Sequence, residues 1–138
     1  MKTVYSYYVL DILHKGHLVM MKNSKSIAGK DGKLIIGILT DEAAMEKKSR
    51  PILPFEERRD IADAIKYVDV VVPQQTYSPI QNIKDIKPDI LMENPHHDKD
   101  VIAEARNFME TIGGKVIALP YYPSQSSSNI KNAIKKIK

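Results

Sequence analysis

The sequence predicts an α/β fold, with one doubly wound parallel sheet of five strands and helices on both faces. Three observations lead there. Short apolar runs rich in β-branched residues alternate with amphipathic stretches along the whole chain, the pattern that builds parallel sheets through crossover helices. The run at residues 33–40, KLIIGILT, is almost continuously apolar, as in a strand covered on both faces. The 138 residues, 43% hydrophobic and 28% charged, suffice for one domain with its own core and leave no compositional case for disorder.

The elements follow in order. Residues 4–10, VYSYYVL, are β-branched and aromatic and form the first strand, and residues 11–16 form a loop. Residues 17–28 form a helix with Leu18, Met21, Ile27 and Ala28 as its apolar side and Gly29 as its stop. Residues 33–40 are the second strand. A helical turn starts at Asp41, and the basic stretch Lys47-Lys48-Ser49-Arg50 lies in a loop before Pro51 and Pro54. Residues 54–67 form a helix, because proline suits a first turn and Ile61, Ala62 and Ile65 make an apolar stripe. Residues 68–72 are the third strand, 78–86 a short helix with Pro79 just inside its start, and 89–92 the fourth strand. Residues 98–112 form a helix closed by Gly113-Gly114, 115–119 the fifth strand, and 129–137 a last helix after Ser126-Ser127-Ser128. No repeat, low-complexity tract or linker interrupts the pattern, so residues 1–138 read as a single Rossmann-like domain. Ligands of such sheets bind beyond the carboxyl ends of the strands, where the strand order switches. The loops at 9–17, 40–50, 93–97 and 120–128 are therefore expected to share one rim.

Composition narrows the chemistry. There are no cysteines, which excludes disulfides, thiolate zinc sites and a cysteine nucleophile. No stretch approaches the ~18 apolar residues of a membrane span. The N-terminus, Met1-Lys2-Thr3-Val4-Tyr5, has no apolar core of a signal peptide, so the expected compartment is the cytoplasm. Twenty-one basic against 17 acidic residues give a net charge of +4, compatible with nucleic acid, a membrane surface or a small anionic substrate.

The segment Asp11-Ile12-Leu13-His14-Lys15-Gly16-His17 lies between a strand and a helix. A helix N-terminus offers free N–H groups and partial positive charge to an anion. Gly16 admits a phosphate close to the backbone, and His14 and His17 can donate hydrogen bonds to phosphate oxygens. The alternatives are a pair of structural histidines or a metal site. Zinc fits poorly, because helical histidine pairs for zinc usually stand about four apart and need a third ligand.

With these residues the chain resembles the HxGH nucleotidyltransferases, and among them the small cytidylyltransferases of the glycerol-3-phosphate and ethanolamine-phosphate type. It looks most similar to the cytidylyltransferase domain associated with phosphonate biosynthesis. The resemblance covers nearly the whole chain: VYSYYVLD leading into HKGH, IIGILTDE, PFEERRDIADAIKYVDVVVPQ, IKPDILMEN and the terminal SSSNIK. It implies CTP bound at the HxGH loop and attack on its α-phosphorus by the acceptor's phosphate or phosphonate oxygen. Pyrophosphate then leaves, with Mg2+ carried by CTP and no resident protein metal.

The resemblance implies His14, His17 and Lys47 as catalytic residues, with Lys48 and Arg50 offering similar charge beside Lys47. It implies a nucleotide site of Tyr8, Val9, Leu10, His14, Gly16, His17, Asn94, Ser126, Ser127 and Ser128. It implies acceptor contacts from Arg58, Tyr121 and His96. Asp11 is expected to fix the loop by accepting backbone N–H bonds. Relatives are often dimers, and an apolar rim around residues 70–73 is consistent with a homodimer.

Departures concern the acceptor more than the reaction. The family's Gly-Thr-Phe is Tyr8-Val9-Leu10 here, its Gly-Asp-Asp type segment is Glu93-Asn94-Pro95-His96-His97, and Tyr121 and Lys66 stand where glycerol-phosphate enzymes carry arginines. The expected acceptor is thus a small phosphonate or phosphomonoester, for example 2-hydroxyethylphosphonate or 2-aminoethylphosphonate. ATP-dependent adenylyl transfer by the same superfamily is the alternative donor chemistry. A nucleic-acid-binding module is the alternative of another class. It is disfavoured because the basic residues are scattered and no aromatic-interleaved motif appears, leaving Lys131, Lys135, Lys136 and Lys138 as a basic helix end.

Overall fold

The computed structural model describes residues 1–119 and 127–137. Eleven elements follow one another: β1 (Thr3–Tyr8), α1 (Lys15–Ala28), β2 (Lys33–Leu39), α2 (Asp41–Met45), α3 (Phe55–Asp63), β3 (Val70–Gln74), α4 (Ile80–Ile86), β4 (Ile90–Glu93), α5 (Lys99–Thr111), β5 (Lys115–Ala118) and α6 (Ser127–Lys136). The strands form one parallel sheet in the order β3-β2-β1-β4-β5. Val4 pairs with Leu34 on one side and Ile90 on the other, so β1 is central and the chain reverses its winding there. The gap between the carboxyl ends of β1 and β4 is the switch point at which ligands are expected.

Strand alternation sends successive side chains to two separate cores. Val4, Leu34, Ile36, Ile38, Ile90 and Met92 pack with Met21 and Ala28 of α1 and Ala62 of α3 on one face. Tyr5, Tyr7, Leu39 and Leu91 pack with Ala43 and Ala44 of α2, Ile83 of α4 and Ala105 and Met109 of α5 on the other. Tyr5 reaches across under β2, where its hydroxyl donates to Gln74 Oε1 at 2.6 Å and accepts from Asn82 Nδ2 at 2.9 Å. That hydroxyl lies where a Cβ on Gly37 would sit, so the glycine is required by close approach.

Several elements differ from the sequence expectation, among them β1, which ends at Tyr8 rather than Leu10, and α1, which opens at Lys15 rather than His17. The helix expected over 54–67 stops at Asp63, and residues 64–67 close as turns, with Ala64 N–H on the carbonyls of Asp60 and Ile61 and Val68 N–H on that of Ile65. The third strand runs on through Pro73, which has no N–H to pair. β3 is an edge strand, where that loss is tolerated. The last helix opens at Ser127, so two of the three serines lie in its first turn. No helix among the described residues is long and apolar enough to cross a membrane.

Candidate active site

β1 ends at Tyr8, and the chain leaves the sheet through Leu10, a non-glycine residue at φ 58° that is 1% exposed. A left-handed conformation of this kind costs about 1–2 kcal/mol and collects at functional turns. The next residue, Asp11, anchors the loop. Its carboxylate accepts from Ile52 N at 3.0 Å and Leu53 N at 2.9 Å and pairs with Lys131 of α6. Burial pushes this carboxyl up, but the Leu53 N–H, Lys131 and the Ile52 N–H outweigh it and hold it below the ordinary aspartate range. The loop-fixing role expected for Asp11 is the one its geometry shows.

His14 and His17 cap α1 reciprocally. His14 Nδ1 accepts the N–H of Gly16 at 3.0 Å, and the N–H of His14 donates to His17 Nδ1 at 3.2 Å. Two imidazoles thus take the parts that serine and glutamate play in an ordinary capping box. Because each Nδ1 must be an acceptor, each neutral ring carries its proton on Nε2. Burial lowers the pKa of His14, and it drives that of His17 down to about 3, with His14 and Lys48 adding repulsion. The ring centroids lie 4.1 Å apart, too close for two imidazolium charges. At neutral pH both histidines are uncharged donors. Tyr8 supports this arrangement, its ring edge-on to His17 at 5.9 Å and its hydroxyl accepting from Ser6 Oγ at 2.8 Å. Gly16 lines the cleft beside them, and its N–H is given to His14 Nδ1.

These residues line a cleft of about 800 Å³ at the switch point. Tyr8, Val9, Leu10, Asn94 and Ser128 line it as expected, together with Ser127, whose hydroxyl donates to Ile12 O at 2.8 Å. Ser126 and Tyr121 lie outside the described residues. Lys48, Arg50, Lys131 and Lys135 bring positive charge to the walls. α1 and α6, whose first turns open here, carry no acidic residue in those turns, and neither does α4 away from the cleft, whereas α2 has Asp41 and Glu42, α3 has Glu56 and Glu57, and α5 has Asp100. A helix N-terminus without a carboxylate keeps its positive partial charge for a ligand.

Three expected site residues are placed elsewhere. Lys47 does not line the cleft but pairs with Asp98 at 3.4 Å, and its neighbour Lys48 lines the cleft near His17 instead. Arg58 is fully buried rather than facing an acceptor. Its guanidinium donates to Leu53 O at 3.0 Å, Val9 O at 2.8 Å, Leu39 O at 2.7 Å and Asp41 at 2.5 Å, tying together the carboxyl ends of β1 and β2. His96 is an exposed turn residue whose N–H donates to Asn94 Oδ1, and it is His97 that lines the cleft.

Sequence reasoning passed over Tyr7, Tyr77, Glu93 and Lys131. The signals available were weak: a glutamate ending the apolar run ILME, and a Thr-Tyr-Ser-Pro loop following the third strand. Tyr7 O–H donates to both oxygens of Glu93, at 2.7 and 2.8 Å. Burial and then the Glu93 charge push the pKa of Tyr7 far up, so the phenol stays protonated.

The fold and cleft together define a Rossmann-like α/β domain with its cleft at the switch point. A family model described as "Cytidylyltransferase-like" matches residues 9–133, and the chain belongs to that family of nucleotidyltransferases. Among curated proteins it is 35% identical to the FAD synthase of Pyrococcus abyssi over 133 residues, 94% of this chain and 87% of that one. It is 32% identical to the bifunctional protein HldE of Sodalis glossinidius over 137 residues, 98% of this chain but only 28% of that protein's length. Among solved structures, a lipopolysaccharide core biosynthesis protein from Thermoplasma volcanium superposes with TM-score 0.73 at 25% identity, over 91% of this chain and 99% of that one.

Proposed function

We propose that this domain transfers a cytidylyl group from CTP to a small phosphonate or phosphomonoester. In the step, an acceptor oxygen forms a bond to the α-phosphorus, the bond from that phosphorus to the bridging oxygen breaks, and pyrophosphate leaves with the electron pair. The observation that carries the reading is the double tautomer lock of His14 and His17, which presents two neutral Nε2–H donors beside a helix N-terminus. Donors fixed in place before the reaction stabilise charge that develops on the transferring phosphorus without reorganising. Lys48 and Arg50 on one wall, and Ser128 and Lys131 on α6, are suited to the β- and γ-phosphates.

Magnesium enters as part of the nucleotide substrate. Both oxygens of Asp11 are engaged by Ile52, Leu53 and Lys131, so the ion is taken to be held mainly by the triphosphate's own oxygens. The chemistry needs no covalent intermediate. It rests on holding two phosphate-bearing molecules in line and neutralising their charge.

Adenylyl transfer from ATP is the second reading, favoured by the 35% identity to an FAD synthase over most of its length. A pyrophosphate-release assay separates the two. CTP and ATP are each offered with 2-aminoethylphosphonate, 2-hydroxyethylphosphonate, phosphocholine, phosphoethanolamine, glycerol 3-phosphate and flavin mononucleotide. The proposal expects release with CTP and one of the small acceptors. Release confined to ATP with flavin mononucleotide selects the second reading, and no release with any pair rejects both.

A further inference from the structure

α6 is held at the cleft by something other than a buried apolar face. None of its described side chains is buried, Ile134 is 58% exposed, and its 10 residues are too few for a helix that is stable alone. Polar ties to the loop after β1 take that place. Ser127 Oγ donates to Ile12 O at 2.8 Å, and Lys131, one turn further on, pairs with Asp11. Asp11 is 3% exposed and the Lys131 side chain 30%, so this is a sheltered ion pair, stronger than one on an open surface.

The same carboxylate has a second task. It accepts the N–H groups of Ile52 and Leu53, at the end of the segment that brings Lys48 and Arg50 to the cleft. One buried charge therefore joins the two walls that carry the positive groups, α6 with Lys131 and Lys135 and the 48–53 segment with Lys48 and Arg50. Those groups repel one another until an anion comes between them, and Asp11 is a negative charge that the protein itself supplies. On α6, Ser128, Lys131, Asn132 and Lys135 recur at helical spacing and all line the cleft. Lys131 stands at the middle of that face. Fixing its ammonium group aims Ser128 about one turn before it and Lys135 about one turn after it.

We infer that Lys131 is a positioning residue, which through Asp11 holds α6 in register with the loop after β1 and so sets one wall of the cleft before any nucleotide arrives. The inference rests on the nucleotidyl-transfer reading for what the cleft receives, and adds to Lys131 a role apart from any contact with phosphate. The clasp is a property of the nucleotide-free domain. A lysine that only met phosphate would leave that state unchanged.

The test is hydrogen exchange of the backbone amides of residues 131–136, read by mass spectrometry on the full nucleotide-free chain. Lys131→Met should speed exchange there about 10-fold, the scale of one charge-assisted hydrogen bond, and leave α5 unchanged. Lys131→Arg, which still reaches the carboxylate, should stay within about 3-fold of the wild type. Asp11→Asn should loosen α6 as much as Lys131→Met does, and the double variant no further, because both remove the same pair. In pyrophosphate release, Asp11→Asn should raise the nucleotide KM at least about 5-fold, although its Lys131 is then free to meet phosphate. Unchanged exchange in a folded Lys131→Met, wild-type amides that exchange as fast as those of an unstructured peptide, or a KM that holds or falls in Asp11→Asn would overturn the inference. If Asp11→Asn does not fold, the comparison of Lys131→Met with Lys131→Arg decides. Absence of pyrophosphate release from the wild type with every acceptor counts against the nucleotidyl-transfer reading, while the exchange comparison still decides the clasp.

Discussion

The two nitrogens of His17 do different work, and substitution can separate them. Nδ1 accepts one N–H, from His14 at 3.2 Å, and so serves the fold, while Nε2–H is the group proposed to serve the reaction. Asparagine places an acceptor where Nδ1 stands and nothing where Nε2 stands. Glutamine reaches the Nε2 position with an N–H and vacates the Nδ1 position. His17→Asn should therefore unfold in urea close to the wild type but lose about 10²–10³-fold in kcat, the scale of one transition-state donor. His17→Gln should keep kcat within about 10-fold and lose about 1 kcal/mol of stability, the worth of one cap bond. For a chain of this length that is a fall in Tm of about 3–4 °C. The assays are pyrophosphate release at saturating nucleotide and urea and thermal unfolding by circular dichroism. Asparagine and glutamine variants that lose activity and stability in parallel would refute the division of labour.

Acid should weaken the fold through the same residue. The His17 pKa is lowered to about 3 from an unfolded value near 6.5, so between those limits the unfolded chain binds more protons and stability falls as pH falls, by up to about 1.4 kcal/mol per pH unit. The urea midpoint should show that slope between pH 6 and 4, and it should flatten in His17→Asn. Arg58→Met removes a fully buried guanidinium that holds three carbonyls and Asp41, and should cost about 3–5 kcal/mol in urea unfolding. An unchanged midpoint with a raised acceptor KM would restore Arg58 to the acceptor site. Lys48→Ala should lower kcat/KM at least about 10-fold and Lys47→Ala less than about 3-fold, because only Lys48 lines the cleft. Gly37→Ala forces a methyl group onto the Tyr5 hydroxyl and should cost about 1–3 kcal/mol in thermal or urea unfolding, with kcat little changed at a temperature where the variant is folded.

The sheet was legible because its signals are local. An apolar run such as residues 33–40 and a stop such as Gly29 announce themselves within a few residues. The HKGH segment was legible for the same reason, its strand, loop and helix being continuous. What stayed hidden depends on distant partners. Arg58 looks like any helix arginine until the fold brings Val9 and Leu39 to it, 49 and 19 residues away. Lys47 and Lys48 are interchangeable on paper, and a single-residue rotation of the loop decides which faces the cleft. Capping by histidine escaped notice because sequence signatures of helix starts are written for serine, threonine, aspartate and asparagine. The pairing of Tyr7 with Glu93 draws on two segments far apart in the chain, each unremarkable alone.

The missing carboxylates at the starts of α1 and α6 also bear on when this protein is most robust. An acidic residue there would steady the empty domain by a few tenths of a kcal/mol to about 1 kcal/mol per helix, and would meet the arriving triphosphate with repulsion. If the proposed nucleotide binds there, its phosphates supply the negative charge that neither helix end carries. A nucleotide at 100 times its dissociation constant adds about 2.7 kcal/mol to the folded state, which makes the nucleotide supply a determinant of how long the chain survives as well as how fast it turns over.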